Sequence, residues 1–403
     1  MRRLRTATTR QLTIVLAVVA ALAASAAIAQ AALTGSGPVP SPKALANAIL
    51  DAFNAPQPEG VTAKIHFTNN LLPSGSLPGG AASPLASGAD GRLWIQKGGN
   101  FRLELQSDAG DAQIVCDGSK VTVYDASSNA VYRMTLPSAA EDDAKPGDHA
   151  DEKLTLDKIR RALDELAKTW TISGAEPTST AGQPTYTVKI SPKDDGGLLG
   201  AAEVAWDAVR GVPLRAAVYA QGESQPVLQL EATEVSYDAV PDSAVQVAPP
   251  PGATVNDFGS KDARGPAKEH ARGAGRADVR GVGAVQRELG FRLSAPAELA
   301  GLPRKEVRLV QMGEEKGALA IYGRGFGAIA VLEKKASPSK SGAADKGGRG
   351  ALRLPEINID GATGSELATA LGTVVTFERG GVEYVVAGSV PPAAAENAAR
   401  GLR

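Results

Sequence analysis

The residues able to do chemistry in this chain are few and scattered. Two runs of adjacent carboxylates, Glu141-Asp142-Asp143 and Asp194-Asp195, have the residue types for general acid and base work. Both lie in polar, loop-like stretches with no aromatic or metal-ligating residue beside them. The three histidines, His66, His149 and His270, are far apart, so no paired-histidine metal motif and no Ser-His-Asp order emerges. Cys116 is the single cysteine, which excludes an internal disulfide and a cysteine-ligated zinc site. Asp117 beside it favours the thiol over the thiolate, so a small apolar packing role fits better than a nucleophile. Gly323, Gly325 and Gly327 invite a phosphate-loop reading, but no helix begins after them and their flanks are strand-like; a glycine-rich bend between strands is expected. The sequence predicts no enzyme, no metal and no cofactor.

Charge and composition narrow the field further. The 403 residues carry 43 Lys+Arg against 44 Asp+Glu, a formal charge of -1, so no basic face is available to release counterions from a nucleic acid. The hydrophobic content of 43% is enough to bury cores in two domains of ordinary size.

The elements that would position any site begin after a leader. Arg2, Arg3, Arg5 and Arg10 precede an uncharged stretch from Leu12 to Leu33, the pattern of an export signal at residues 1–33. Ala27-Ile28-Ala29 or Ala29-Gln30-Ala31 offers small residues for cleavage, and the stretch is also long enough, at about 20 residues, to remain as an N-terminal membrane anchor. Either outcome puts the rest of the chain outside the cytoplasm.

Ser41-Pro42 then offers a helix start, with Leu45, Ile49 and Phe53 as an apolar stripe closed by Pro56 and Pro58. From Gly60 the period changes to two: Val61, Ala63, Ile65 and Phe67 on one side of a half-buried strand, Thr62, Lys64, His66 and Thr68 on the other. His66 reads as a solvated strand residue. After a Gly/Pro/Ser loop, short runs at 91–96, 101–106, 113–117, 120–125 and 131–136 form a meander. A charged insertion follows at 142–153. Leu156, Ile159, Leu163, Leu166 and Trp170 then mark one amphipathic helix over 154–170. Strands resume at 184–191, 202–209, 214–220 and 227–237, ending at Pro249-Pro250-Pro251-Gly252.

Residues 259–284 have almost no large apolar side chain and read as a flexible basic linker. The segment 285–403 reads as a small α+β domain. Its predicted strands fall at 291–294, 307–312, 318–322 and 328–333, with a hairpin over Arg379-Gly380-Gly381 and a closing helix from Pro392 to Leu402; a low-complexity loop, 337–350, interrupts it.

The order of motifs across 41–258 resembles the LolA lipoprotein-carrier superfamily, which includes periplasmic regulators of the RseB/MucB type. The resemblance is carried by Gly91-Arg92-Leu93-Trp94-Ile95, Phe101-Arg102-Leu103-Glu104, Ile114 to Lys120 and Val123-Tyr124-Asp125 in the first half. In the second half it is carried by Val188 to Lys193, Val204-Ala205-Trp206-Asp207, Gly211 to Arg215 and Ala248 to Val255. It implies a mainly β, α+β fold: an unclosed antiparallel β-barrel, or half-barrel, with lid helices over an apolar cavity for acyl chains. A core simply filled by the 154–170 helix is the alternative. Where carriers of that family have an arginine that holds the lid, this chain has Lys97, followed by Gly98 in place of proline. Lysine lacks the planar guanidinium fork, so Lys97 is a lid-contact candidate with a weaker network.

Two functions from different classes follow. In the first, the half-barrel binds lipid or lipoprotein acyl chains. Its candidate lining is Trp94, Phe101, Leu103, Val121, Val123, Trp206 and Val218 from strands, with Leu156, Ile159, Leu163 and Leu166 from the helix; alternation alone does not say which strand face is concave. In the second, the resemblance to RseB-like proteins and the extra C-terminal domain imply a regulator that binds a membrane-anchored anti-sigma factor or other protein partner.

Overall fold

The computed structural model describes residues 37–72, 83–108, 110–118, 120–135, 154–193, 197–258, 279–312, 315–336 and 354–402. The leader at 1–33, most of the 259–284 linker, the 142–153 insertion, the loop 337–350, both carboxylate runs, His149 and His270 lie outside the described residues. The chain divides into two compact units.

The first unit is built on one large curled antiparallel sheet, the unclosed half-barrel. Its strands are β1 (Gly60–Asn69), β2 (Ala89–Gln96), β3 (Phe101–Ser107), β4 (Gly110–Asp117), β5 (Lys120–Asp125), β6 (Ala130–Thr135), β7 (Trp170–Ile172), β8 (Glu176–Thr180), β9 (Gln183–Pro192), β10 (Leu199–Asp207), β11 (Pro213–Ala220), β12 (Pro226–Ser236) and β13 (Thr254–Phe258). They lie in the order β13-β6-β5-β4-β3-β2-β1-β12-β11-β10-β9-β7, with β8 on β9. The two predicted meanders are thus joined through β1 and β12. β13 closes one edge by pairing parallel to β6.

Four helices belong to this unit: α1 (Leu45–Asn54), α2 (Pro84–Ser87), α3 (Leu156–Leu166) and α4 (Asp242–Val245). α1 starts four residues later than Ser41-Pro42 predicts and has no side-chain cap. The physical reason is that residues 41–43 are engaged with strands: Ser41 O accepts from the Tyr186 hydroxyl at 2.7 Å and Lys43 bridges Ala175. α3 is shorter than 154–170. Thr155 caps it by accepting from Lys158 N–H, and Trp170 has left the helix to pair with Pro192 in the sheet.

The second unit contains α5 (Val282–Glu288), β14 (Glu298–Leu299), β15 (Leu302–Met312), β16 (Glu315–Tyr322), β17 (Ile329–Lys335), β18 (Glu356–Ile359), β19 (Ala362–Thr369), β20 (Gly372–Arg379), β21 (Val382–Gly388) and α6 (Pro392–Arg400). The eight strands form one antiparallel sheet in the order β14-β15-β16-β17-β21-β20-β19-β18. Side chains from α5 and α6, among them Val285, Ala395, Ala398 and Ala399, join Tyr322, Val331, Val375 and Val386 of the sheet in one buried cluster. The β20–β21 turn uses Gly380 and Gly381 at φ +60° and +75°, a left-handed pair that matches strand twist and that a β-carbon would strain. The predicted strand at 291–294 is instead irregular chain, because its backbone is engaged by side chains: Leu293 N–H donates to Gln286 Oε1 at 2.9 Å and Ser294 N–H to Glu333 Oε2 at 2.8 Å. Gly323 and Gly325 form a positive-φ bend between β16 and β17.

Candidate functional site

Alternation along the strands of the first sheet separates an apolar face from a polar one. On β1 the apolar set is Val61, Ala63 and Ile65, all buried, and register carries it outward in both directions. Toward one edge, Ala63 faces Leu93, Leu93 faces Leu103, Leu103 faces Ile114, and Ile114 faces Val123. Toward the other, Ile65 faces Ala232, Phe67 faces Leu230, and Leu230 faces Ala216.

Between β2, β1, β12 and β11 this face forms an apolar trough lined by Val61, Ala63, Ile65, Leu93, Ile95, Leu214, Leu230 and Ala232. The enclosed part is about 50 Å³, and the cleft including its solvent-open part is about 460 Å³. The enclosed part holds at most one or two waters at about 30 Å³ each. The enclosed space is too small for an acyl chain, so a long apolar ligand would lie along the open trough and not inside a closed pocket.

α1 covers the neighbouring part of the sheet. Ala48, Leu45 and Ala52 pack on Tyr186, Trp206, Val188 and Val204, with the Tyr186 and Trp206 rings 6.2 Å apart. The turn after β10 touches the end of α1 so closely that a β-carbon at Gly211 would lie 2.3 Å from Ala52 O. α3 packs on α1. Ile159 is buried, and Leu156, Leu163 and Leu166 are half-buried. The stripe predicted on α1 is displaced: Ala46 and Ala48 are its buried residues, while Phe53 is 58% exposed.

The predicted lining residues separate into groups. Leu103 belongs to the buried cluster beneath the trough with Ala63, Ile65 and Ala232. Phe101, Val121 and Val123 share its face, since Phe101 pairs with Ile95 and Cys116, and Cys116 with Val121. Val218 faces Leu228 beyond the trough, and Trp206 is core under α1. Trp94 is a correction. Leu93 and Ile95 take the trough side, so Trp94 stands on the opposite face, where Arg92 and Arg102 lie 5.6 and 5.1 Å from its ring. Those guanidiniums and Arg102's partners, Glu104 and Ala244 O, make that surface polar. Lys97 is also placed differently: in the β2–β3 turn its Nζ pairs with Glu59 at 2.6 Å, in the segment entering β1, and no helix supplies its partner.

Sequence reasoning missed most of the trough. Val61, Ala63 and Ile65 were marked as one apolar side of a strand, yet nothing local said that β12 would lie beside β1 from 170 residues away.

The polar face also holds an ion-pair network. Arg215 pairs with Glu203 and, at 3.7 Å, with Glu231, while its guanidinium donates to Tyr219 Oη at 3.1 Å and Gln229 Oε1 at 3.3 Å. Burial pushes the Glu231 carboxyl up, against the pull of Arg215 and His66. His66 is exposed on the polar face, as its position in the alternation predicts, and its Nδ1 lies 2.6 Å from Asp90 on β2. Burial, with Asp117 adding, pushes the buried Cys116 thiol up. Among the described residues no group of three or more His, Cys, Asp or Glu is arranged to hold a metal ion, and no helix is long and apolar enough to cross a membrane.

Comparison with known proteins gives likenesses of low identity. The family described as "Predicted periplasmic protein (DUF2092)" matches residues 81–145. No curated protein matches the chain. Among solved structures, the MucA/MucB complex of Pseudomonas aeruginosa is similar at 13% identity and a TM-score of 0.40, over 89% of this chain and 96% of that one. A putative outer membrane lipoprotein-sorting protein domain from Vibrio parahaemolyticus is similar at 10% identity and TM-score 0.23, over 50% of this chain and 96% of that one. A LolA-superfamily protein from Nitrosomonas europaea is similar at 11% identity and TM-score 0.21, over 51% and 98%. These are proteins of the kind the sequence resembles; the half-barrel described above rests on its own strand pairing.

Proposed function

We propose that this chain is an exported, non-enzymatic binding protein that takes an acyl chain of a lipid or lipoprotein along the apolar trough of its half-barrel. The observation that carries this reading is the continuous apolar face of β2, β1, β12 and β11, part of which borders a cleft open to solvent. Such a surface recognises length and apolarity without specific polar chemistry. Burying about ten methylenes contributes on the order of 8 kcal/mol before ordering costs are subtracted. An extracytoplasmic site of action is supported by the Arg-rich leader and by the periplasmic description of the family matching 81–145. Native mass spectrometry of the exported chain, followed by organic extraction, tests the reading: an acyl-bearing lipid should be recovered, and a chain that is reproducibly empty and binds no fluorescent fatty acid counts against it.

A second reading, a regulator that senses lipid and answers to a membrane-anchored protein partner, is favoured by the C-terminal unit. That unit has its own buried core, which an acyl-chain carrier does not require. Removing residues 259–403 should abolish capture of such a partner and leave lipid recovery intact; retained capture would remove this reading.

A further inference from the structure

The C-terminal unit buries a carboxyl where an apolar side chain would ordinarily sit. Glu333 lies in the middle strand β17, between Ala318 on β16 and Tyr384 on β21, and is 0% exposed. Its Oε2 accepts the Ser294 N–H at 2.8 Å, and its Oε1 has no hydrogen-bond partner. The Tyr322 hydroxyl, also fully buried, is likewise unpartnered. Tyr384 is stacked on Phe377 with ring centroids 4.8 Å apart.

Among the described residues no cation is paired with this carboxyl. The ionisable groups that face the cluster are Tyr322 from β16, Tyr384 from β21, Arg304 from β15 and Arg379 from β20. The two arginines act on the tyrosines and are bonded to backbone carbonyls. Arg304 donates to Ala295 O, and Arg379 to Leu402 O at 2.5 Å and Ile359 O at 2.7 Å. From the helices, Val285 of α5 and Ala395, Ala398 and Ala399 of α6 pack in the core, and Gln286 of α5 bonds the covering segment. Lys334, next along β17, takes the other face and pairs with Glu383.

A carboxylate held by one N–H donor in such surroundings is strongly disfavoured against the neutral acid. Burial therefore lifts Glu333 to about 7, opposed only by the Ser294 N–H. When the proton leaves, the charge needs water. The irregular segment 289–297 is the covering that can yield, since it has no strand ladder and is tied by scattered bonds: Gln286 donates to Phe291 O and accepts from Leu293 N–H, the Arg304 guanidinium donates to Ala295 O, and Arg304 N–H donates to Ala297 O.

We propose that Glu333 makes the C-terminal unit pH-responsive: the 289–297 segment stays closed over the carboxyl while it is neutral, and ionisation opens that segment because the charge needs water that closure excludes, a need that outweighs the stronger bond a carboxylate accepts from Ser294 N–H. The sign follows from the two states. The folded unit keeps the proton to about pH 7, whereas an unfolded chain releases it near the ordinary value of 4.5, so the contribution to stability is complete below 4.5 and is lost as pH rises to about 7.

The test uses the full chain and Glu333→Gln, which keeps shape and acceptor but cannot ionise. Carbon-13 NMR of the Glu333 carboxyl should titrate near pH 7. Hydrogen exchange at the Ser294 amide, corrected for the intrinsic pH dependence, should lose protection between pH 6 and 8 by about tenfold or more in the natural chain, and by less than about twofold in Glu333→Gln. A carboxyl midpoint below pH 5, or the same loss of protection in both chains, overturns the proposal. If the variant fails to fold, the carboxyl titration of the natural chain decides alone.

Discussion

Ile65 on β1 stands opposite Ala232 on β12 because the register between these strands slips by one residue after Lys64. Before the slip Lys64 faces Glu234, so an unbroken ladder would bring Thr233 opposite Ile65. The bulge leaves Thr233 exposed, with its hydroxyl donating to Lys64 O at 3.3 Å, and sets Ala232 in the trough. One inserted residue thus keeps a hydroxyl off the apolar face and puts a small side chain there instead.

A large side chain at that position should fill the trough. Ala232→Trp is expected to lower the affinity for a fluorescent fatty acid at least about tenfold, with the far-ultraviolet circular dichroism of the sheet retained; Thr62→Trp on the polar face should leave affinity within about twofold. Equal affinities for both variants and the natural chain would remove the trough as the binding surface.

The Arg215 network predicts a stability asymmetry. Arg215→Met leaves Glu203 and Glu231 buried without their cation and should destabilise the first unit by about 3–5 kcal/mol, read from urea unfolding. Replacing all three residues by apolar ones of similar size should recover most of the loss. A single substitution costing under about 1 kcal/mol would show that the network is better solvated than its side-chain exposures of 10% for Arg215 and 13% for Glu203 imply.

Cys116 should behave as a core residue. Burial and Asp117 both hold its thiol above its ordinary pKa, so less thiolate is present at pH 8 than in a free cysteine and alkylation should be slower by about tenfold or more in the native chain. Unfolding in denaturant should restore the rate. Native alkylation as fast as in denaturant would mean that β4 opens readily.

The buried turn after β10 offers a further check. Asp207 is 0% exposed and accepts from Tyr237 Oη at 2.5 Å as well as from Val209 and Arg210 N–H groups. Tyr237→Phe removes one donor from a buried carboxylate and should cost about 1–3 kcal/mol in thermal or urea unfolding.

How much of this was legible depended on whether the information was local. The strands of both meanders, the β20–β21 hairpin and the closing helix follow from period-two runs and glycine turns, and they appear within one to three residues of their predicted bounds. β7, β8, β13, β14, β18 and β19 were missed. β8 shows why: Glu176-Pro177-Thr178-Ser179-Thr180 has no apolar alternation, and its hydroxyls are satisfied only after Thr178 meets Thr185 and Thr187 of β9, at 2.8 and 2.7 Å.

The site was legible in chemistry and less so in place. Leu103, Phe101, Val121 and Val123 fall on the apolar face, whereas Trp94, grouped with them as an apolar residue near the sheet centre, alternates with Leu93 and Ile95 and so stands on the other side. The trough itself depends on β1 joining β12, a long-range pairing that no window of sequence contains. Glu333 was equally invisible, because a single acid in an apolar run reads as an edge until its neighbours are known.

The central claim is that an acyl chain lies along the face shared by β1, β2, β11 and β12. A fatty acid carrying a photoactivatable diazirine at mid-chain, cross-linked to the exported chain and mapped by peptide mass spectrometry, tests it most directly. The account predicts adducts on Val61, Ala63, Ile65, Leu93, Ile95, Leu230 and Ala232. Adducts confined to the polar face around Trp94 and Arg102, or none above the level of a denatured control, would contradict it.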